Sequence, residues 1–469
     1  MKRLTLAFSL LWMVAFVQAQ IQQKIDNAMK LLLADEQMKH AIAGFYVVES
    51  NAGKVVYALN EEVGLAPAST QKIFTSVAIL DVLGEQYRYK TLVGYDGKIE
   101  GHTLNGNLII KGNGDPTFGS WRYLSTRREA VLEKIYNALF KAGITSIKGD
   151  IILDASRFSY QPLPGGWIWD DIGNYYGAGT WGINWNENQF DLNLKPGSKE
   201  GDDVEITNTT PELRTSVLTN LLKTGKQGSG DNGYIYLPPY SSTGFVNGTV
   251  PAGEKQFKIS GAFPNPSQQL GQELSIFFSQ KKIIVEGRMR TTEELINNRK
   301  AIPASKDMID SIASPSMDSI IYWFLQKSIN LYGEALIKTL AAEKNGIGST
   351  EKGVELLQQY WYSKSIDNGA LNIVDGSGLS PQNRVTVKAM VTALQYARDK
   401  RWFKSFYAGL PVYNDIKMKS GSIGGARAFT GYQTSKSGQQ YTFAIIVNNY
   451  NGSSSAIVRK IYKVLDELK

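Results

Sequence analysis

Ser69 and Lys72 form a serine–lysine pair whose spacing allows nucleophilic catalysis. They stand at the start of a segment whose apolar residues recur with helical periodicity as far as Gly84. Side chains three residues apart on a helix are neighbours, so the lysine amine could take the proton of the serine hydroxyl. The positive end of the helix dipole would also favour a developing alkoxide. The pair therefore predicts a serine nucleophile with a lysine base.

The spacing alone is weak evidence, because two further S-x-x-K strings occur in the chain. The string from Ser279 to Lys282 straddles a predicted helix end, and the string from Ser349 to Lys352 is typical of a helix cap. Ser69 by itself would also be interpreted as a helix N-cap. The assignment therefore depends on other residues.

The scarcity of cysteine and histidine narrows the chemistry. The 469 residues include no Cys and only two His, His40 and His102. Cysteine proteases, structural zinc sites and iron–sulfur clusters need cysteine, and a Ser-His-Asp triad or a His-rich metal site needs histidine. We therefore expect no metal, no cofactor, and a proton-transfer group that is Lys, Asp, Glu or Tyr. The formal net charge of +8 is mild and comes without a Lys/Arg run, so nucleic-acid binding is not expected.

Two further segments bring polar side chains to predicted loops. Ser328-Ile329-Asn330 is the only S-x-N string in the sequence and falls between two helical segments. A bent backbone there could present both polar side chains to a cleft. The run from Asp375 to Ser380, DGSGLS, adds hydroxyls and conformationally permissive glycines.

Three K-[ST]-G strings differ in their predicted positions. Lys223 is predicted to follow a helix, where its glycine would be a C-cap, and Lys436 lies in a turn between two strands. Lys419 is predicted to end a strand before a glycine-rich turn. Its side chain and the amides that follow could therefore line the edge of a site.

The order S-x-x-K, S-x-N, K-[ST]-G resembles the signature of the penicillin-recognising serine enzymes, the penicillin-binding proteins and β-lactamases. The separations are 259 residues from Ser69 to Ser328 and 91 residues from Ser328 to Lys419. The long first gap is similar to that of the class C low-molecular-mass penicillin-binding proteins. These are D-alanyl-D-alanine carboxypeptidases/endopeptidases with extra domains inserted after the nucleophile helix. Gly-Asp-Pro-Thr at 114–117 and Trp-Ile-Trp-Asp at 167–170 extend the resemblance over essentially the whole mature chain.

The resemblance implies a role for each matched residue. Ser69 would attack a D-Ala-D-Ala peptide bond and Lys72 would take its proton. Lys419 would attract the terminal carboxylate of the substrate. Ser328 would relay a proton to the leaving D-alanine, and Asn330 would hold the substrate amide and orient Lys72.

Further substrate contacts follow from the same resemblance. Ser420, Gly421 and Ser422 would line the substrate, with the N–H groups of Ser69 and Ser422 forming the oxyanion hole. Ser420 stands where threonine is usual and keeps the hydroxyl that holds the substrate carboxylate. Asp154, at the end of a predicted strand, is a candidate contact for the free amine of the diamino acid in the stem peptide.

The elements that must position these residues predict an α/β (α+β) fold. The mature chain opens with a helix and a β-hairpin, and its last third returns to long helices, three strands and an amphipathic terminal helix. We expect a penicillin-binding transpeptidase-like domain, residues 20–86 and 287–469, with an antiparallel sheet flanked by helices. A large β-rich insertion, residues 87–286, would interrupt it and form one or two extra domains.

Residues 1–19 have the pattern of a signal peptide. Lys2 and Arg3 precede an apolar stretch that ends near Phe16, and Val17-Gln18-Ala19 places small residues before the expected cleavage site. No run is long enough for a transmembrane anchor. The sequence therefore predicts a periplasmic or secreted protein.

The predicted function is a serine-type D-Ala-D-Ala carboxypeptidase/DD-endopeptidase. Its partners would be peptidoglycan stem peptides as substrates and β-lactam antibiotics as covalent inhibitors. Two alternatives remain open: a β-lactamase or esterase with the same Ser-Lys site, and a catalytically weak envelope protein that binds peptidoglycan.

Overall fold

The computed structural model describes residues 20–469, and the predicted signal peptide, residues 1–19, lies outside these described residues. Over residues 20–469 the helices are α1 (20–33), α2 (Lys72–Val82), α3 (Arg128–Lys141), α4 (Trp169–Ile172), α5 (Pro266–Gln280), α6 (Thr292–Asn297), α7 (Met317–Gln326), α8 (Asn330–Asn345), α9 (Thr350–Tyr362), α10 (Val387–Arg398), α11 (Phe403–Gly409) and α12 (Ser454–Asp466).

The strands are β1 (Ile42–Glu49), β2 (Val55–Leu59), β3 (Lys90–Tyr95), β4 (Lys98–Glu100), β5 (Thr103–Asn105), β6 (Leu108–Lys111), β7 (Ser146–Ile147), β8 (Ile151–Asp154), β9 (Gln189–Lys195), β10 (Glu205–Thr210), β11 (Val217–Gly225), β12 (Asn232–Tyr236), β13 (Thr243–Pro251), β14 (Phe257–Ala262), β15 (Ile284–Val285), β16 (Met289–Thr291), β17 (Asp307–Ala313), β18 (Leu371–Asn372), β19 (Arg384–Val385), β20 (Val412–Tyr413), β21 (Ile416–Ile423), β22 (Ala426–Thr434) and β23 (Gln440–Asn448).

These elements belong to two compact units. The first comprises residues 20–82, Ile321–Ser328 and Val354–Lys469, and the second comprises Leu83–Ile320 and Ile329–Gly353. Residues 287–320 and 329–353, which the sequence analysis groups with the flanking segments, thus lie in the second unit. The assignment of catalytic and inserted domains stays a prediction.

The first unit is built on an antiparallel sheet of six strands in the order β2-β1-β23-β22-β21-β20. β23 lies between β1 and β22, so the N-terminal hairpin and the C-terminal strands share one sheet. Seven consecutive residues of β23, Tyr441 to Val447, are buried, as expected for a strand covered on both faces. The predicted antiparallel sheet flanked by helices is confirmed.

Helices α1 and α12 cover one face of this sheet. Their apolar residues recur at helical spacing, as in Ile25, Met29 and Leu32 of α1 and Ile457 and Ile461 of α12. All are buried in one core with the inward side chains of β1 and β23. Full burial of such side chains stabilises the fold by roughly 1.5–3 kcal/mol each.

Two large hydrophobic cores lie in the second unit. The larger core lies between α3, α5 and the sheet β16-β8-β6-β3-β17. The smaller core joins the three-stranded sheets β10-β9-β14 and β11-β13-β12 through residues such as Phe190, Leu222 and Val246. The mixed α+β class and the β-rich character of this region agree with the sequence analysis.

Two local predictions about the K-[ST]-G strings were wrong. Lys223 does not follow a helix but lies in β11, which pairs with β13 along its whole length. Lys419 does not end its strand, because β21 continues to Ile423 through its pairing with β22. In both cases cross-strand pairing, which the local sequence does not specify, set the element. No helix among residues 20–469 has the length and apolar content to span a bilayer.

Candidate active site

Ser69 and Lys72 meet in the first unit as the sequence predicts. Ser69 lies in a 3-10 turn, Ala68–Gln71, that leads directly into α2 at Lys72. The Lys72 Nζ donates to the Ser69 Oγ at 3.0 Å and to the main-chain oxygen of Ser377 at 2.7 Å. Lys72 is fully buried, whereas Ser69 is partly exposed. A buried amine on a reachable hydroxyl is the geometry that a general base requires.

The DGSGLS run, residues 375–380, helps to hold the Ser69–Lys72 pair in place. Its Asp375 is fully buried and accepts hydrogen bonds from the Gln71 side chain at 2.9 Å and from the N–H groups of Gly378 and Ser380 at 2.8 and 2.7 Å. The Asn383 side chain donates to the same carboxylate at 2.9 Å. These bonds hold the run in the position where the main-chain oxygen of Ser377 accepts the hydrogen bond from the Lys72 Nζ.

Two glycines allow backbone segments to approach Ser69 closely. A Cβ on Gly378 would lie 2.0 Å from the Ala68 oxygen, and a Cβ on Gly421 would lie 2.5 Å from the Pro67 oxygen and 3.0 Å from the Ser69 nitrogen. Side chains at both positions are therefore excluded. Gly421 brings the middle of β21 against the turn that carries Ser69.

Lys419 lies on the same face of β21 as Gly421, because residues two apart on a strand share a face. It is 1% exposed, and its Nζ donates to the Ser420 oxygen at 2.8 Å. Burial lowers the pKa of the Lys419 amine to about 7, since desolvation disfavours the charged form. The amine thus titrates near neutral pH on the strand that packs against the Ser69 turn.

Ser420 and Ser422 alternate with these residues along β21. Ser420 is half-buried and Ser422 is exposed, with its hydroxyl accepting from the Arg427 guanidinium. β20 pairs only with Ile416 and Lys417, so within residues 20–469 no strand pairs with the outer edge of β21 beyond them. Their roles as substrate contacts stay predictions.

Ser328 occupies the turn between α7 and α8. It is partly exposed and has a φ of 56°, in the left-handed region that non-glycine residues rarely adopt. Such a conformation costs about 1–2 kcal/mol, so the surrounding structure must hold it in place. Ala68, immediately before Ser69, has a φ of 48° and the same kind of strain.

Asn330 and Asp154 belong to the second unit, apart from the residues above. Asn330 begins α8, and its side-chain amide donates to the Tyr176 oxygen at 2.8 Å. Asp154 ends β8, where its carboxylate accepts from the Ser156 N–H at 2.9 Å and lies 3.6 Å from the Lys111 Nζ. The contacts of Asp154 are those of a residue that closes a turn, and both substrate roles stay predictions.

The sequence analysis missed the support that Gln71 and Asp375 provide. Gln71 stands inside the S-x-x-K string and links it to a residue 304 positions away. The one available signal was an aspartate followed by two glycines and two serines, which is typical of a loop tied to its own carboxylate. Across residues 20–469, no group of three or more His, Asp or Glu side chains could hold a metal ion.

Comparison with known proteins agrees with this geometry. A family model described as the D-Ala-D-Ala carboxypeptidase 3 (S13) family matches residues 22–468. The chain belongs to this family. It is therefore a D-Ala-D-Ala carboxypeptidase and a serine hydrolase of the low-molecular-mass class C penicillin-binding proteins, and the resemblance drawn from the ordered motifs is confirmed.

Two relatives illustrate how this S13 chain compares with other members. A D-alanyl-D-alanine carboxypeptidase from an Actinomadura species is 23% identical over 94% of this chain and 83% of the relative. D-alanyl-D-alanine carboxypeptidase DacB from Haemophilus influenzae is 25% identical over 87% of this chain and 85% of the relative.

The fold of the S13 chain also matches solved structures. The crystal structure of penicillin binding protein 4 (dacB) from Haemophilus influenzae superposes with a TM-score of 0.79 at 21% identity, covering 96% of this chain and 98% of that one. The same Haemophilus protein has been solved in complex with a β-lactam, and that structure matches with a TM-score of 0.73 at 21% identity over 91% of this chain and 96% of that one. The predicted fold, with extra β-rich regions, is confirmed.

Proposed function

We propose that this carboxypeptidase acts on peptidoglycan stem peptides through an acyl-enzyme on Ser69 and also cleaves cross-links as a DD-endopeptidase. The observation that carries the proposal is the 3.0 Å hydrogen bond between the buried Lys72 Nζ and the Ser69 Oγ. With two histidines in the chain, one of them bonded through Nδ1 to the Gly143 oxygen, lysine is the base at hand.

Acylation begins when the Ser69 Oγ attacks the carbonyl carbon of the bond between the two D-alanines. Lys72 takes the hydroxyl proton, and the N–H groups of Ser69 and Ser422 stabilise the oxyanion, a contribution of about 10²–10³ in rate per donor. The proton passes through Ser328 to the leaving amine, whose bond to the carbonyl carbon breaks. An ester on Ser69 remains.

Deacylation reverses the roles of the groups. Lys72 takes a proton from water, the water oxygen attacks the ester, and the bond from the carbonyl carbon to the Ser69 Oγ breaks as Lys72 returns its proton to Ser69. The shortened peptide leaves as a carboxylic acid and loses its remaining proton to solvent. Lys419, in its charged form, holds the terminal carboxylate of the substrate. Asn330 holds the substrate amide.

Endopeptidase action needs the same bond cleavage with a larger leaving group. In the carboxypeptidase reaction the leaving amine is free D-alanine, and in a cross-link it is the side chain of a neighbouring stem peptide. The unpaired outer edge of β21 beyond Lys417 supports the proposal, since an extended peptide could add there as a further strand. Release of D-alanine and of monomers from cross-linked dimers, each measured by chromatography, tests the two activities separately.

A β-lactam would acylate the same serine. The complex of the Haemophilus relative with a β-lactam supports this inference.

Ser69→Ala should abolish both peptide hydrolysis and covalent labelling by a fluorescent penicillin. Ser76→Ala is the matched control: its hydroxyl lies on α2 and makes no hydrogen bond among the described residues, so the variant should label like the wild type. Mass spectrometry should place the adduct on the peptide that contains Ser69, and labelling of Ser69→Ala would overturn the mechanism.

The two alternatives give different results in the same assays. A β-lactamase would turn over nitrocefin rapidly without a stable adduct. A catalytically weak binding protein would retain sacculi as Ser69→Ala while the wild type released no D-alanine.

We also propose export to the periplasm or the exterior. The signal-peptide pattern of residues 1–19 and the location of peptidoglycan outside the cytoplasmic membrane support it. N-terminal sequencing of the exported protein should begin near Gln20.

A further inference from the structure

The second unit contains a polar cleft that the proposed reaction does not use. It has a volume of about 670 Å³, within the range of small-molecule sites, and lies between α5, β16 and α6. Amide and hydroxyl side chains dominate its lining: Asn265, Gln268, Gln272, Ser275, Asn297 and Asn298.

A buried carboxyl group opens into this cleft without a full set of partners. Glu293 lines the cleft and is 5% exposed, and its Oε2 makes no hydrogen bond within the described chain. Burial raises the pKa of this carboxyl, partly opposed by hydrogen bonding to Thr291 and Asn265. An unsatisfied buried polar atom destabilises a fold, so its presence in a cleft points to a ligand that completes its hydrogen bonds.

The charges around the cleft are largely neutralised. Glu294 is paired with Arg290 at 2.7 Å, and burial of Glu293 favours its uncharged form. Arg288 contributes one cationic side chain to the lining. The walls thus present mainly uncharged donors and acceptors, which suit a ligand rich in hydroxyl and amide groups better than an ion.

Tyr240 gives the cleft a fixed aromatic surface. Its hydroxyl donates to the main-chain oxygen of Tyr160 at 2.5 Å and accepts from the Trp181 indole N–H at 3.0 Å. Its ring stacks on the ring of Tyr160. It is held at a φ of 65°, in the left-handed region. A rigid ring beside amide side chains can pack against the C–H face of a sugar while the amides bind its hydroxyls.

We propose that this cleft binds an N-acetylated sugar unit of the glycan strand that carries the stem peptides. The inference that the sugar belongs to peptidoglycan rests on the proposed function, because that function makes peptidoglycan the substrate. The cleft would hold the glycan while peptide bonds are cleaved at Ser69.

Calorimetric titration with N-acetylglucosamine tetramer, a probe without peptide, tests the cleft. The wild type and Ser69→Ala should bind it equally. Gln272→Ala should weaken binding by roughly fivefold or more, the loss of about one hydrogen bond. Gln280→Ala, at the exposed end of α5 and outside the cleft, should bind like the wild type. No binding by the wild type, or equal binding by Gln272→Ala, would overturn the proposal.

Glu293→Gln separates a ligand-binding role from a structural one. It keeps one side-chain oxygen to accept from Thr291 and Asn265 and replaces the unsatisfied oxygen with an N–H₂ group, so it should leave the midpoint of unfolding close to that of the wild type and lower the affinity for the sugar. A variant that lost both stability and affinity would contradict the proposal.

Kinetics on two substrates separates this inference from the proposed function. Gln272→Ala should hydrolyse a free pentapeptide like the wild type but show a raised KM on glycan-linked peptides. Sugar binding without any D-alanine release would overturn the proposed function alone, and D-alanine release without sugar binding would overturn the cleft alone. Binding of free stem peptide that Gln272→Ala weakens would instead make the cleft a peptide site.

Discussion

At the scale of single residues, burial brings the pKa of Lys419 close to neutral pH. A buried ammonium loses hydration, and the lysine pKa falls to about 7 from its ordinary value near 10.5. Between these two values the amine is neutral in the folded protein. In the proposed mechanism a substrate carboxylate stabilises the charged form again, which would couple protonation of Lys419 to binding.

The pH dependence of kcat/KM should therefore show an alkaline limb. Since kcat/KM reports the free protein, it should fall by about tenfold per pH unit above an apparent pKa of about 7, as Lys419 loses its proton. Lys419→Arg keeps its charge at all these pH values and should lack the limb. Lys417→Arg, on the same strand, should retain it. A wild-type profile flat to pH 9 would contradict the role of Lys419.

The strained backbone of Ser328 gives a second prediction at this scale. Glycine adopts a positive φ without the steric cost of a Cβ, so Ser328→Gly should be more stable than Ser328→Ala by about 1 kcal/mol in denaturant unfolding. Both variants should acylate slowly, because each lacks the hydroxyl of the proposed proton relay. The control pair is at Ser275, inside α5, where the Gly variant should be less stable than the Ala variant because glycine is unfavourable in a helix interior. Equal stability of the two Ser328 variants would show that the turn is unstrained.

At the scale of elements, the site depends on one loop and one strand that close on a short turn. The DGSGLS loop is held by the Asp375 carboxylate, and β21 approaches through Gly421. The loop presents the Ser377 carbonyl to Lys72, so its position fixes the amine. Damage to the loop should then reach the chemistry through the orientation of Lys72.

Asp375→Asn tests this coupling. The variant puts an N–H₂ group where the carboxylate now accepts bonds from Gln71, Gly378, Ser380 and Asn383, so we expect a loss of roughly 2–3 kcal/mol in unfolding free energy and slower acylation by a fluorescent penicillin. The matched control is Asp367→Asn, where an exposed carboxylate accepts from one backbone N–H. The interpretation fails if Asp375→Asn labels as fast as this control.

At the scale of the whole molecule, the first unit is assembled from segments far apart in the chain. In its sheet β23 lies between β1 and β22. The last strand of the chain therefore joins the N-terminal hairpin to the other C-terminal strands. Without β23 the sheet would split into two pieces, each with an exposed edge. Ser69 follows the hairpin strand β2 along the chain, whereas Lys419 lies in β21, so each piece would carry one of these two proposed site residues.

Removal of residues 440–469 should therefore abolish penicillin labelling and leave the chain insoluble. The point variant Phe443→Ala should have a milder form of the same effect, since truncation of this fully buried ring costs about 3–5 kcal/mol. Gln440→Ala, at the exposed start of β23, should leave solubility and labelling unchanged. A soluble truncated chain that still labels would contradict this account.

The sequence by itself determined the residue types and the elements with strong periodicity. The pattern predicts long helices in the last third and an N-terminal hairpin, and the structure has both, because apolar spacing is a local property. The order of the S-x-x-K, S-x-N and K-[ST]-G strings was enough to indicate the family. The choice of Lys419 over Lys223 followed from position, although the helix predicted before Lys223 is a strand.

Only the tertiary structure decided which segments support the nucleophile. Gln71 and Asp375 lie 304 positions apart, and Gly421 meets Pro67 across a sheet order that no local pattern encodes. It also decided the burial that lowers the pKa of Lys419, and the grouping of residues 287–320 and 329–353 with the second unit. The physical reason is the same in each case: periodicity specifies which face of an element is buried, whereas strand order and burial depth depend on the partner that covers it.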